Sequence, residues 1–181
     1  MVHPRVTVFG SSRVAAGDEL YEQARRLGRL LAQAGYAVCS GGYSGVMEAV
    51  SRGAREVGGV AVGITVESWS TRHRPNPWLS EVVAAPHLFE RIRQLVDSEA
   101  YVAFPGGAGT LGEVALAWNL FQTASASPRP LVLVGGQWRT LLACFREALL
   151  VDPSDFSLLQ VAETVDGVLP LLAQARGSRS Y

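Results

Sequence analysis

The chain contains no lysine. All 16 of its basic residues are arginines, and 16 acidic residues bring the formal charge of the 181 residues to zero. Without a lysine amine the chain cannot form the internal Schiff base that holds pyridoxal phosphate. Nor can it supply the lysine that ends a Walker-type phosphate loop. A neutral chain also argues against a nucleic-acid binder that works through a phosphate-neutralising surface. Cysteine is scarce. Cys39 and Cys144 lie far apart in apolar stretches, with no CxxC or Cys/His grouping. That pattern argues against a metal site or a disulfide framework and leads us to expect two buried, reduced thiols. No apolar run approaches the roughly 18 to 20 residues that span a bilayer. The N-terminal residues lack the apolar core of a signal peptide, so the expectation is a soluble, cytoplasmic protein.

Apolar residues are plentiful. They make up 48% of the chain against 18% charged, enough for a substantial core, which rules out global disorder. We expect one domain over residues 1–181, with residues 176–181 as a frayed tail. Short β-rich runs alternate with helical patterns. Residues 5–9, 36–40, 60–65, 81–84, 100–104, 130–134 and 158–161 read as strands. Helices are expected from Asp18 as a cap to Gly35, then over 46–54, 88–98, from the end of the 105–110 turn to 123, and over 138–149 and 164–175. Repeated βα units with continuous apolar strands imply a Rossmann-like α/β fold. Its sheet is doubly wound and mostly parallel, with helices on both faces.

Glycine is abundant, with 19 residues, and it clusters where strands end. Three turns stand out: Gly10-Ser11-Ser12, Gly41-Gly42-Tyr43-Ser44-Gly45 and Pro105-Gly106-Gly107-Ala108-Gly109-Thr110. In a doubly wound sheet, ligands sit beyond the carboxyl ends of the strands. Glycine lets an anion approach the backbone closely, and the following helix offers free amides and a partial positive charge. The three turns together point to a phosphate-bearing ligand; each one alone is also a common packing device. No GxGxxG occurs in the first two turns, so a standard dinucleotide site is disfavoured. Residues 67–80 carry Pro75 and Pro77 and read as an irregular loop. Trp69, Arg72, His73, Arg74 and Trp78 lie in it, either stacking on a ligand or solvated.

The segment Pro105-Gly106-Gly107-Ala108-Gly109-Thr110-Leu111-Gly112-Glu113 resembles the PGGxGTxxE motif of the LOG (Lonely Guy) family. Gly41-Gly42-Tyr43-Ser44-Gly45-Val46-Met47 resembles that family's GGxxGxM segment, and Phe89-Glu90-Arg91 its HER segment. The order and spacing match over roughly residues 5–150. The resemblance implies a Rossmann-like fold and a phosphoribohydrolase. Such an enzyme cleaves the N-glycosidic bond of a nucleoside 5′-monophosphate, AMP or a cytokinin type, with no metal or other cofactor. It implies a homodimer or larger homo-oligomer, and the apolar helix around Leu116, Trp118, Leu120 and Phe121 suits burial in a core or an interface. Two departures are visible. Phe89 and Ile92 replace the histidine and lysine of a HERK-type stretch, and Gly112 stands where many members carry glutamate.

By this resemblance Glu113 and Arg91 are the catalytic pair. A carboxylate beside the anomeric carbon stabilises the cation formed as the base leaves and takes a proton from water. Spacing alone fits a second role, a capping box in which Glu113 bonds back to the amide of Thr110. Arg91 would face the nucleotide; helical spacing puts Arg93 on another face. Gly106, Gly107, Ala108, Gly109 and Thr110 are assigned to the phosphate. Ser11, Ser12, Gly41, Gly42 and Gly45 are assigned to the nucleotide. Met47 lines the pocket or packs in the core, and His87 receives no role. The alternative function is a non-catalytic nucleotide or molybdenum-cofactor carrier or sensor on the same fold.

Overall fold

The computed structural model describes residues 3–69 and 73–177. Seven strands form one sheet: β1 (Arg5–Phe9), β2 (Ala37–Ser40), β3 (Ala61–Val66), β4 (Glu81–Ala85), β5 (Ala100–Ala103), β6 (Leu131–Val134) and β7 (Gln160–Ala162). Every pairing is parallel, in the order β4-β3-β2-β1-β5-β6-β7. Among the described residues five α-helices lie between strands, α1 (Glu19–Gln33), α2 (Val46–Glu56), α3 (Leu88–Leu95), α4 (Ala108–Gln122) and α5 (Gln137–Ala148), and α6 (Val168–Gly177) follows β7. The fold is therefore the doubly wound, Rossmann-like α/β sandwich read from the sequence.

Alternation along the strands feeds two cores, because successive side chains point to opposite faces. Val6 and Val8 of β1 pack with Tyr21, Leu27 and Leu31 of α1 and with α2 and α6. Phe9 and Tyr101 face the other side, with Leu95 of α3, Trp118 and Phe121 of α4, and Leu142 of α5. Thr7 is the polar exception on β1. Its buried hydroxyl bonds the Leu95 carbonyl at 2.8 Å and the Ser98 hydroxyl at 2.7 Å, which satisfies it. This anchor coincides with the end of α3 at Leu95, three residues short of the expected Ser98.

Chain order reverses between β1 and β5. After β1 the chain winds outward through β2, β3 and β4, then returns to the other side of β1. The turns following β1 and β5 consequently meet, and Ser11 N–H donates to the Pro105 carbonyl at 3.3 Å. That seam is the topological switch point, where doubly wound sheets open a crevice.

Some local expectations need correction. Asp18 precedes α1 but makes no cap bond to it; its carboxylate accepts from the Ala15 amide at 2.8 Å and closes the preceding turn. Cys39 is buried, with burial pushing its thiol up to about 11, whereas Cys144 is exposed on the outer face of α5. Gly35 and Gly58 end α1 and α2 with φ of 84° and 76°, as helix-stopping glycines do. α6 continues through Gly177, so of the tail expected to fray only 178–181 lie outside the described residues. Among the described residues no helix is long and apolar enough to cross a membrane.

Candidate functional site

A cavity of about 340 Å³ opens at the switch point. Its walls come from five segments. The turn after β1 contributes Gly10, Ser11, Ser12 and Arg13; the turn after β2 contributes Tyr43, Ser44 and Met47. Trp69 and His73 enter from the irregular loop, Arg91 from α3, and Gly107, Gly109, Thr110 and Glu113 from the start of α4.

The structure brings Arg91 and Glu113 together. Arg91 Nη1 lies 3.4 Å from Glu113 Oε1, with side-chain exposures of only 7% and 13%. Arg91 Nε also donates to the Ile64 carbonyl at 2.8 Å, so the guanidinium is fixed against the end of β3. Its central carbon sits 5.8 Å from the ring centres of both Tyr43 and Trp69. Burial pushes the Glu113 carboxyl above its usual range; attraction to Arg91 offsets this only in part. Arg93, two residues on, turns outward and pairs with Glu90 at 2.7 Å.

The capping box does not form. α4 begins at Ala108 with Gly107 as its cap, which places Thr110 inside the first turn, and Glu113 spends its carboxylate on Arg91 instead. The free amides at this helix start therefore face the cavity beside Gly107 and Gly109, an arrangement suited to an anion. Gly106 and Ala108 stay off the cavity wall. A Cβ at Gly106 would overlap the Thr110 hydroxyl and come within 3.0 Å of the Ser11 amide, so this glycine holds the two turns together.

Gly41, Gly42 and Gly45 also stand behind the wall, and their purpose is close approach of other groups. A Cβ on Gly41 would overlap Arg91 Nη2 and lie 2.6 Å from Met47 Sδ. Gly45, at φ 71°, lets the second turn pack directly on the Ser11–Ser12 backbone, where the Val46 amide donates to the Ser11 carbonyl at 2.9 Å. Met47 lines the cavity rather than the core.

The loop divides. Trp69 and His73 join Tyr43 in an aromatic cluster with ring centres 5.8 to 6.1 Å apart. Trp78 leaves the cavity and stacks under Arg52 at 5.3 Å; Arg74 is exposed, and Arg72 lies outside the described residues. Asn76 pins the loop. It is buried, its amide donates to the Gly42 carbonyl at 2.9 Å, and its Nδ2 donates to the Tyr43 carbonyl at 3.1 Å. Sequence reasoning missed Asn76 and the ring of Tyr43, although a polar residue between two prolines and an aromatic inside a glycine turn were both visible signals. It also left His87 without a role; His87 caps α3, with Nδ1 accepting from the Glu90 amide at 3.3 Å.

Fold and cavity together define a doubly wound α/β protein with a cavity walled by glycine-rich turns at its switch point. The chain belongs to the SLOG cluster4 family, whose model matches residues 3–125. It is 30% identical, over 91% of its length and 70% of the relative's, to a probable cytokinin riboside 5′-monophosphate phosphoribohydrolase of Oryza sativa subsp. japonica. A cytokinin riboside 5′-monophosphate phosphoribohydrolase of Mycobacterium tuberculosis is 34% identical over 56% of this chain. The match spans 55% of that protein's own length. Among solved structures, the molybdenum cofactor binding protein of Rippkaea orientalis superposes with a TM-score of 0.76 at 24% identity, covering 96% of this chain and 98% of that one. At that identity the likeness concerns the fold.

Proposed function

We propose that the protein hydrolyses the N-glycosidic bond of a nucleoside 5′-monophosphate, releasing free base and ribose 5-phosphate. The observation that carries this reading is the buried Arg91–Glu113 pair opening into the same cavity as the start of α4. The relatives' names support it. The phosphate lies against the amides of Gly107, Gly109 and Thr110, with Ser11 and Ser12 beside it. The base lies against Tyr43, Trp69 and His73. The anomeric carbon then falls near Glu113.

As the C1′–N bond breaks, its electron pair leaves with the base and C1′ becomes cationic. The Glu113 carboxylate, in a site shielded from water, stabilises that charge strongly. Water adds its oxygen to C1′ and gives up a proton to Glu113; the departing base nitrogen takes one proton from solvent, and Glu113 returns its proton to solvent, so no net proton is gained or lost. Arg91 keeps the carboxylate oriented and ionised. The setting is the cytoplasm, which suits two unpaired thiols. The active form is a homodimer, and Leu111 and Leu116, 38% and 37% exposed on the helix that starts at the site, are apolar positions that a second copy would cover.

The test is incubation of the purified protein with a panel of nucleoside 5′-monophosphates, including AMP and an N6-isoprenyl AMP, with chromatography for free base. Base release should fall by about a hundredfold or more in Glu113→Gln, with nucleotide binding retained. Turnover unchanged in Glu113→Gln removes this carboxylate from the reaction. Nucleotide binding without base release from any panel member transfers the protein to the carrier or sensor reading.

A further inference from the structure

The cavity contains two arginines in different situations. Arg91 is buried and engaged by Glu113 and the Ile64 carbonyl, so its charge is largely cancelled within the site. Arg13 is exposed, lines the same cavity and makes no ion pair among the described residues. Its backbone is fixed all the same. The Arg13 amide donates to Ser11 Oγ at 3.1 Å, and the Ser12 carbonyl before it accepts from Ser44 Oγ at 3.1 Å. The turn holding Arg13 is thus bonded to both neighbouring turns: to Pro105 through Ser11, and to Ser44 and Val46 through the Ser11 and Ser12 carbonyls. Arg13 lines the cavity together with Gly107, Gly109 and Thr110 at the start of α4, and the same turn touches that segment, since a Cβ on Gly106 would come within 3.0 Å of the Ser11 amide.

We infer that Arg13 is the phosphate-selecting residue of this site: its guanidinium clamps the 5′-phosphate that the α4 amides cradle, and it sets the preference for a nucleotide over a nucleoside. The inference rests on the nucleoside 5′-monophosphate reading and adds to it a charge that the Arg91–Glu113 pair cannot supply. Helix amides carry only partial charge. A phosphate monoester carries nearly two negative charges at neutral pH, and a guanidinium meets it with two parallel donors. An arginine fixed at its root and free at its tip loses no existing partner on binding.

Calorimetric binding of AMP, ribose 5-phosphate and adenosine to the wild type, Arg13→Gln and Arg13→Lys tests this. Arg13→Gln should weaken AMP and ribose 5-phosphate by about tenfold or more and leave adenosine unchanged, with lysine recovering part of the loss. An unchanged far-ultraviolet dichroism spectrum and melting temperature certify the fold. Equal weakening of all three ligands, or no weakening, overturns the assignment. The two readings fail separately. A wild type that binds AMP without hydrolysing it, while Arg13→Gln loses phosphate selectivity, removes the hydrolase and keeps Arg13. Hydrolysis with Arg13→Gln selectivity intact does the reverse. A wild type that binds neither phosphate ligand at millimolar concentration removes both.

Discussion

In the proposed hydrolysis the chemistry turns on one carboxyl group whose proton affinity burial raises. Burial raises the Glu113 pKa, and the single 3.4 Å contact with Arg91 does not reverse the rise. An acid whose folded pKa is raised is ionised later as pH increases, so base release should fall on acidification through a midpoint above the ordinary glutamate value of about 4.3. A pH profile of kcat/KM checks this. The substrate phosphate also titrates, near about 6, and would appear equally in the residual rate of Glu113→Gln, which isolates the Glu113 limb. A midpoint at or below the ordinary value would contradict the burial argument. The same shift makes Glu113 a stabilising group at low pH, with that contribution lost as pH rises through its folded pKa. Arg91 and Glu113 were legible from their place in a recognisable motif. Arg13, Asn76 and the ring of Tyr43 were not, because their roles arise from three turns meeting in space.

At the scale of the element, two glycines decide how the helices stack. A Cβ on Gly28 of α1 would overlap the Val50 carbonyl, and one on Gly53 of α2 would overlap the Arg25 carbonyl. Each helix lies against the backbone of the other, and the start of α2 sends Val46 into the core and Met47 to the cavity. Gly53→Ala should cost about 2 kcal/mol from overpacking, lowering the melting temperature by about 6 °C at this chain length. Gly112→Ala is the opposite case. Its Cβ would enter open space on α4, and the gain in helix propensity should add about 0.8 kcal/mol. Thermal unfolding of both variants checks the contrast in sign. The elements themselves were readable in type and order, since period and glycine punctuation mark them clearly. What escaped was their ends and caps. Asp18 bonds backwards rather than forwards, α3 stops early where its last carbonyl meets Thr7, and Thr110 falls inside the first turn of α4. The end of α3 is set by a tertiary contact that no local pattern records, and the Asp18 bond by a local turn that competes with the cap.

For the whole molecule, strand order explains why the site lies where it does, since β1 and β5 diverge only at the reversal. The inward face of α4, with Val114, Ala117, Trp118 and Phe121, belongs to the core, while Leu111 and Leu116 remain on the outside. Light scattering at micromolar concentration should give twice the 19.4 kDa chain mass. Replacing Leu116 by glutamate should shift that mass toward the single chain; an unchanged dimer would move the interface elsewhere. The expectation of a doubly wound sheet needed only the alternation of βα units. The two-sided use of α4 needed the packed structure, because its sequence is apolar on several sides at once.

The two ends of the cavity differ in how deeply they are rooted. The anion end hangs from β1 and β5, at the centre of the sheet, whereas the aromatic wall hangs from a segment leading to the outermost strand and is pinned chiefly at Asn76. Opening the first requires most of the molecule to unfold; opening the second requires one local excursion. Under the proposed reading, substitutions at Trp69 and His73 would retune which base is accepted while the phosphate end, built on the central strands, stays in place, so the choice of base could change without loss of the fold.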